Sequence, residues 1–287
     1  METFRSESDT IKQCKFGANI SSMFMDIPDH IESFLEILKR KDYHFESIEA
    51  QDPYKNSIEE WEKLYAREDS DTFPEFTLIN SVNLIEKYVD RIPNEEEFEN
   101  DLETLAKYCA VLKVRKVHLI LFKILNDSNG IEIAKQYLRK GAEFLNTYNI
   151  VCLIEPLSTV PNYYLRSYDQ ALSLVRELNV SNLKIMFDLF HCQKLHGNLC
   201  HYMDLLKNHI GHVQVSQVPY RDCPLNEGEL QYSYLFKKLS TIYDDYIGLE
   251  YFSKKSNKAF LFLNSANDSL DWITEFSSKK EKENNSK

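Results

Sequence analysis

Eight short apolar runs, each followed by a longer stretch with apolar residues at every third or fourth position, constrain this chain more than any other feature. The runs are CKFGANI (14–20), FESIEA (45–50), EFTLIN (75–80), KVHLILF (116–122), NIVCLIE (149–155), NLKIMFD (182–188), IGHVQVS (210–216) and YIGLEYF (246–252). A strand-like run that gives way to a 3.6-residue period reads as a βα unit. Eight units in succession predict an α/β fold of one kind, a single (β/α)8 barrel of parallel strands closed on themselves. A chain of 287 residues suits one such domain.

The intervening stretches behave as barrel helices should. Phe98, Leu102, Leu105, Ala106, Cys109 and Leu112 trace one stripe, and SIEE (57–60) and SYDQ (167–170) read as capping boxes that open helices. No Pro- or Ser-rich linker divides the series, so residues 13–276 are expected to form one domain. Residues 1–12 are then a flexible leading segment, and SSKKEKENNSK (277–287) is a charged, disordered tail.

Charge and composition remove several classes of function. With 34 basic and 45 acidic residues the net charge is −11, which repels a phosphate backbone, so nucleic acid is not an expected partner. No run of about 18 apolar residues exists to cross a membrane, and METFRSESDT lacks the apolar core of a signal peptide. The six cysteines are scattered without a CxxC pair, as in a reducing compartment, and a cytoplasmic location follows as the expectation. Only seven glycines are present, with no GxGxxG or GxxxxGK[ST] loop, which disfavours nucleotide cofactors.

In a closed parallel barrel the chemistry gathers at the C-terminal ends of the strands. There the fifth run delivers Glu155, the sixth Asp188, the seventh Gln214 and the eighth Glu250. Neighbouring strands lie about 5 Å apart, so acids at one rim repel each other and resist burial unless a cation neutralises them. Oxygen ligands suit a hard divalent ion, Mg²⁺ or Mn²⁺. Taken singly, an acid after a strand also serves as a helix N-cap or a solvated loop residue. His191, three residues past Asp188, is placed to hydrogen-bond a substrate oxygen, or to be satisfied by loop backbone. His212 shares the inward face of its strand with Gln214, where it either touches substrate or supports a ligand from below. His118 reads as a packed residue of the barrel interior. Arg221, in VPYRD, is the nearby cation that could grip a carboxylate in bidentate fashion, or an ordinary surface arginine.

The stretches FGANISSMF (16–24), LIEPLST (153–159), NLKIMFDLFHCQ (182–193), GNL (197–199), IGHVQVSQVPYR (210–221), GELQYSYLF (228–236) and GLEY (248–251) together resemble the hydroxypyruvate isomerase family of xylose isomerase-like barrels. The resemblance implies a TIM barrel whose metal is held by Glu155, Asp188, Gln214 and Glu250. It also implies that the two glutamates act as acid and base, and that His191 and Arg221 face the substrate. The implied reaction converts hydroxypyruvate into tartronate semialdehyde (2-hydroxy-3-oxopropanoate) through an enediolate. Where the family tends to read EP[LI]NTR this chain has EPLSTV, with Ser158 and Val160; where it reads VPGRHEP or VPGRGEP this chain has VPYRDCP, with Tyr220 and Cys223. These changes touch substrate identity and rate more than metal binding. A ketose 3-epimerase of the same superfamily, and a diverged barrel that binds a metal or small acid without turnover, remain as alternatives. An abasic-site endonuclease is disfavoured by the charge. The expected partner is a small 2-hydroxycarbonyl acid or sugar, with self-association into a homo-oligomer left open.

Overall fold

The computed structural model describes residues 14–39, 45–89, 91–124 and 127–252. The expectations for 1–12, for 253–276 and for the 277–287 tail lie outside the described residues. Eight strands, β1 (Lys15–Asn19), β2 (Ser47–Ala50), β3 (Glu75–Asn80), β4 (Lys116–His118), β5 (Val151–Ile154), β6 (Leu183–Asp188), β7 (Ile210–Val215) and β8 (Tyr246–Leu249), pair in parallel and in sequence order into a closed barrel. Each expected run supplies one strand.

Alternation within the strands explains why apolar segments end in acids. Ile48, Cys152, Ile154, Ile185, Phe187, Val213, Val215, Ile247 and Leu249 belong to the main hydrophobic core, while Leu78, Leu153 and Met186 form a separate apolar cluster. Since side chains alternate faces, residues two apart share one, so Leu153 and Glu155 face the barrel interior together, as do Met186 and Asp188. The interior therefore has an apolar layer with polar groups above it, toward the C-terminal rim.

The helix Glu95–Leu112 buries the expected stripe and opens with a full capping box between Asn94 and Glu97. The box at Ser57 and Glu60 is likewise complete. At 167–170 the Ser167 side chain accepts the Gln170 N–H, while the Gln170 amide accepts from Arg166 N and donates to the Tyr164 carbonyl. The fourth strand is shorter than KVHLILF suggests. Ser81 Oγ accepts the Ile120 N–H at 3.1 Å and Tyr163 Oη accepts the Leu121 N–H at 3.3 Å, so side chains satisfy backbone that a ladder would otherwise hold. No described helix is long and apolar enough to cross a membrane.

The loop after β7 is held by one buried amide. Gln217 donates through Nε2 to the carbonyls of Pro224, Asn226 and Leu230, and its Oε1 accepts from the N–H groups of Val218 and Leu230. A Cβ added at Gly228 would strike this side chain. Replacing Gln217 with Ala leaves several buried backbone groups unpaired and is expected to cost about 2–4 kcal/mol. Urea unfolding checks this; an unchanged midpoint would show that the loop closes without the amide.

Candidate active site

Asp188 ends β6 and serves as a helix N-cap. Its Oδ1 caps the helix Leu189–Leu195 by accepting the Phe190 N–H at 2.7 Å, while Oδ2 receives Arg221 Nη2 at 3.0 Å. The same Arg221 nitrogen lies 2.7 Å from Glu250 Oε1, so one guanidinium draws β6 and β8 together. Gln51, just past β2, donates to the same Glu250 oxygen. Ligating atoms of Glu155, Asp188 and His191 lie within 4.8 Å of one another. Gln214 stands on β7 in register with Asp188.

Burial sets the electrostatics. Glu155 is pushed well above the usual carboxylate range, chiefly by burial and then by the neighbouring charges of Asp188 and Glu250. Burial also raises Asp188, against the pull of Arg221 and of backbone N–H groups. Glu250 is raised to about 7 by burial, with Arg221 opposing. These shifts express the cost of grouping acids in a low-dielectric interior, a cost that a bound cation lowers. Two further atoms fit a cation: Glu155 Oε1 and Gln214 Oε1 are buried acceptors with no hydrogen-bond partner. An all-oxygen donor set suits Mg²⁺ or Mn²⁺.

His191 belongs to the site as a donor. Its Nδ1 accepts the Ser158 backbone N–H at 3.0 Å and lies 2.7 Å from Ser158 Oγ. A backbone N–H can only donate, so in the neutral ring the proton sits on Nε2, the atom 3.7 Å from Asp188 Oδ2. Burial, with Arg221 adding to it, holds the ring well below the usual histidine range and hence neutral. A protonated Nε2 has no lone pair for a metal, so among these side chains the oxygens are the atoms that could hold one. The backbone N–H at position 158 thus fixes the tautomer, and the Ser158 hydroxyl, one of the two departures in EPLSTV, lies against the same nitrogen.

His212 is placed differently from His191. It is fully buried, with Nε2 against Glu49 Oε1 and Nδ1 3.4 Å from Tyr243 Oη. Both nitrogens face protein groups, and the ring lies two residues before Gln214 on the same strand, β7. His118 is buried as expected, with Nδ1 3.7 Å from Glu155 Oε2, and burial lowers it to about 3. Arg221 adopts a left-handed backbone, φ 60°, and its guanidinium lies over the rings of Phe190 and Phe252. Such a backbone costs a residue with a side chain about 1–3 kcal/mol and persists where the surroundings over-determine it. Far from being a surface residue, Arg221 is nearly enclosed, and its Nε is a buried donor without a partner.

Glu49 was not singled out by the sequence. It sits on β2 with 1% exposure, accepts from Gln214 Nε2 at 2.8 Å and Asn19 Nδ2 at 3.4 Å, and pairs with His212. The signal was an acid inside an apolar strand, but its partners on β7 lie more than 160 positions away.

A family model described as the xylose isomerase-like TIM barrel matches residues 33–276. The chain belongs to this family. Among its xylose isomerase-like relatives, the hydroxypyruvate isomerase of Escherichia coli (strain K12) is 30% identical over 258 residues, 86% of this chain and 96% of that one. The 2-oxo-tetronate isomerase of Haemophilus influenzae is 29% identical over 244 residues, covering 83% and 93%. A Caenorhabditis elegans relative is 33% identical over 168 residues, a match that spans 56% of this chain and 64% of that protein. A crystal structure from Brucella melitensis, described as an AP endonuclease of family 2, superposes with a TM-score of 0.77 at 26% identity, covering 92% and 99%. The resemblance to the hydroxypyruvate isomerase family, carried by motifs near residue 20 and between 153 and 251, is matched by relatives aligned over most of the chain.

Proposed function

We propose that this protein is an isomerase of small 2-oxo acids that interconverts hydroxypyruvate and tartronate semialdehyde with the help of a divalent cation. One observation carries the reading. Partnerless buried acceptors, Glu155 Oε1 and Gln214 Oε1, and the partnerless buried donor Arg221 Nε belong to one constellation of residues. Oxygens without donors call for a cation, and a guanidinium nitrogen without an acceptor calls for an anion. A substrate with a carboxylate beside a carbonyl answers both.

Glu155, Asp188, Gln214 and Glu250 would hold the ion, which when bound stabilises negative charge developing on substrate oxygen. Arg221 would take the substrate carboxylate, and His191 would donate from Nε2 to a substrate oxygen. The isomerisation needs no external oxidant: a proton leaves the hydroxyl-bearing carbon, another arrives at the former carbonyl carbon, and the two oxygens exchange roles. Glu155 and Glu250, on strands three apart around the ring, would remove and return those protons.

The test is incubation with hydroxypyruvate in deuterated water, with Mg²⁺ or Mn²⁺ present and then removed by chelator, followed by proton NMR. The expected result is metal-dependent formation of tartronate semialdehyde with deuterium on the carbon that receives the proton. Parallel incubations with 2-oxo-tetronate and with ketoses separate this reading from a four-carbon acid substrate and from ketose epimerisation. Label in a ketose alone would replace the proposal with the epimerase reading, and no label anywhere would point to a barrel that binds without turnover.

Arg221→Ala is expected to raise KM for hydroxypyruvate by about 30-fold, the equivalent of about 2 kcal/mol for a buried charged contact, with a smaller change in kcat. Steady-state kinetics decide; an unchanged KM would free Arg221 from the carboxylate.

A further inference from the structure

We infer that Glu49 is a positioning residue that aims Gln214 at the cation site, an inference that rests on the metal reading above. A carboxamide has two nearly isosteric ends, and only one can ligate a cation. The choice falls to whatever faces the other end. Here Glu49 Oε2 accepts Gln214 Nε2 at 2.8 Å, which turns Gln214 Oε1 away to stand buried and without a partner.

Glu49 is held in place for that task. Its carboxylate also meets Asn19 Nδ2 and His212 Nε2, and His212 is backed in turn by Tyr243 Oη, which donates to the Tyr246 carbonyl at 3.2 Å. Asn19 is itself fixed, because its Oδ1 caps the next turn by accepting the N–H groups of Ser21 and Ser22. Nitrogens from β1 and two positions of β7 thus converge on one carboxylate of β2. Space for it is reserved, since a Cβ on Gly248 of β8 would fall inside that carboxylate. Partners beyond the ligands that fix orientation govern metal affinity by about 10–100-fold.

Glu49→Gln lets Gln214 turn its Oε1 toward the new amide and its nitrogen toward the ion. Binding of Mn²⁺ alone, followed by the electron paramagnetic resonance signal of the free ion, is expected to weaken by about 10–100-fold in this variant. The exchange variant Glu49→Gln with Gln214→Glu keeps one donor and one acceptor across the same gap and presents a carboxylate to the ion. Its Mn²⁺ affinity is expected to return to wild type or better. Equal affinity in wild type and Glu49→Gln, or an exchange variant that stays as weak as the single one, overturns the inference while leaving the metal reading intact. Should Glu49→Gln fail to fold, the exchange variant decides alone: wild-type-like Mn²⁺ binding supports the inference and its loss overturns it. A wild-type protein that takes up no Mn²⁺ defeats the metal reading itself, and the inference with it.

Discussion

Glu250→Gln is expected to lower kcat for hydroxypyruvate isomerisation by about 10³-fold, as is Glu155→Gln, each equivalent to about 4 kcal/mol of transition-state stabilisation. The substitution keeps the shape of the side chain and an oxygen that can ligate a cation, but it removes the group that can carry a proton. Glu250 is the better placed of the two for exchange near neutrality, because burial raises it to about 7 while Arg221 restrains the rise. Binding and chemistry must be read separately, since both glutamates are also proposed ligands. A Gln variant that still binds Mn²⁺ and yet places no deuterium on carbon identifies a proton carrier. One that loses Mn²⁺ in parallel with turnover identifies a ligand only. Wild-type turnover by either variant would refute the assignment.

The fold was legible because a barrel strand advertises itself locally: apolar residues fill one outward parity, and a polar residue closes the inward one. IMFD and HVQV show this within a few residues each, with Phe187 and Val213 in the main core and Asp188 and Gln214 turned inward. Four of the polar positions could therefore be placed at one rim from strand ends alone. What could not be read is pairing across the ring. Arg221 was expected to face a carboxylate of the substrate, and the structure pairs it with two carboxylates of its own chain, Asp188 and Glu250, from a left-handed backbone at 221. Glu49 escaped notice for a related reason. Its strand, SIEA, is too short to show alternation, and its partners on β7 come within reach only because the ring closes between β1 and β8. The tautomer of His191 depends on the backbone N–H of Ser158, a contact that no spacing rule encodes.

Gly248→Ala is expected to destabilise the protein by about 3 kcal/mol and to lower its thermal midpoint by about 6–12 °C. Gly248 lies in register with Gly17 of β1 on one side and Gln214 of β7 on the other. Glu49 of β2 reaches Gln214 through the space left where Gly248 of β8 carries no side chain. A methyl group at 248 would occupy the space of its carboxylate, and that carboxylate cannot yield freely, because leaving its place strands His212, Asn19 and Gln214 without their common acceptor. Ordinary crowding of a surface glycine predicts far less. Gly197 offers the control, with open space where its Cβ would go and only the strain of φ +66° to oppose substitution. The decisive comparison is a cycle in which Gly248→Ala is added to Glu49→Ala. If the methyl group acts by displacing the carboxylate, the second substitution costs little once Glu49 is gone; if its cost persists undiminished, the constraint on position 248 lies in the backbone of β8 and not in the passage it keeps open.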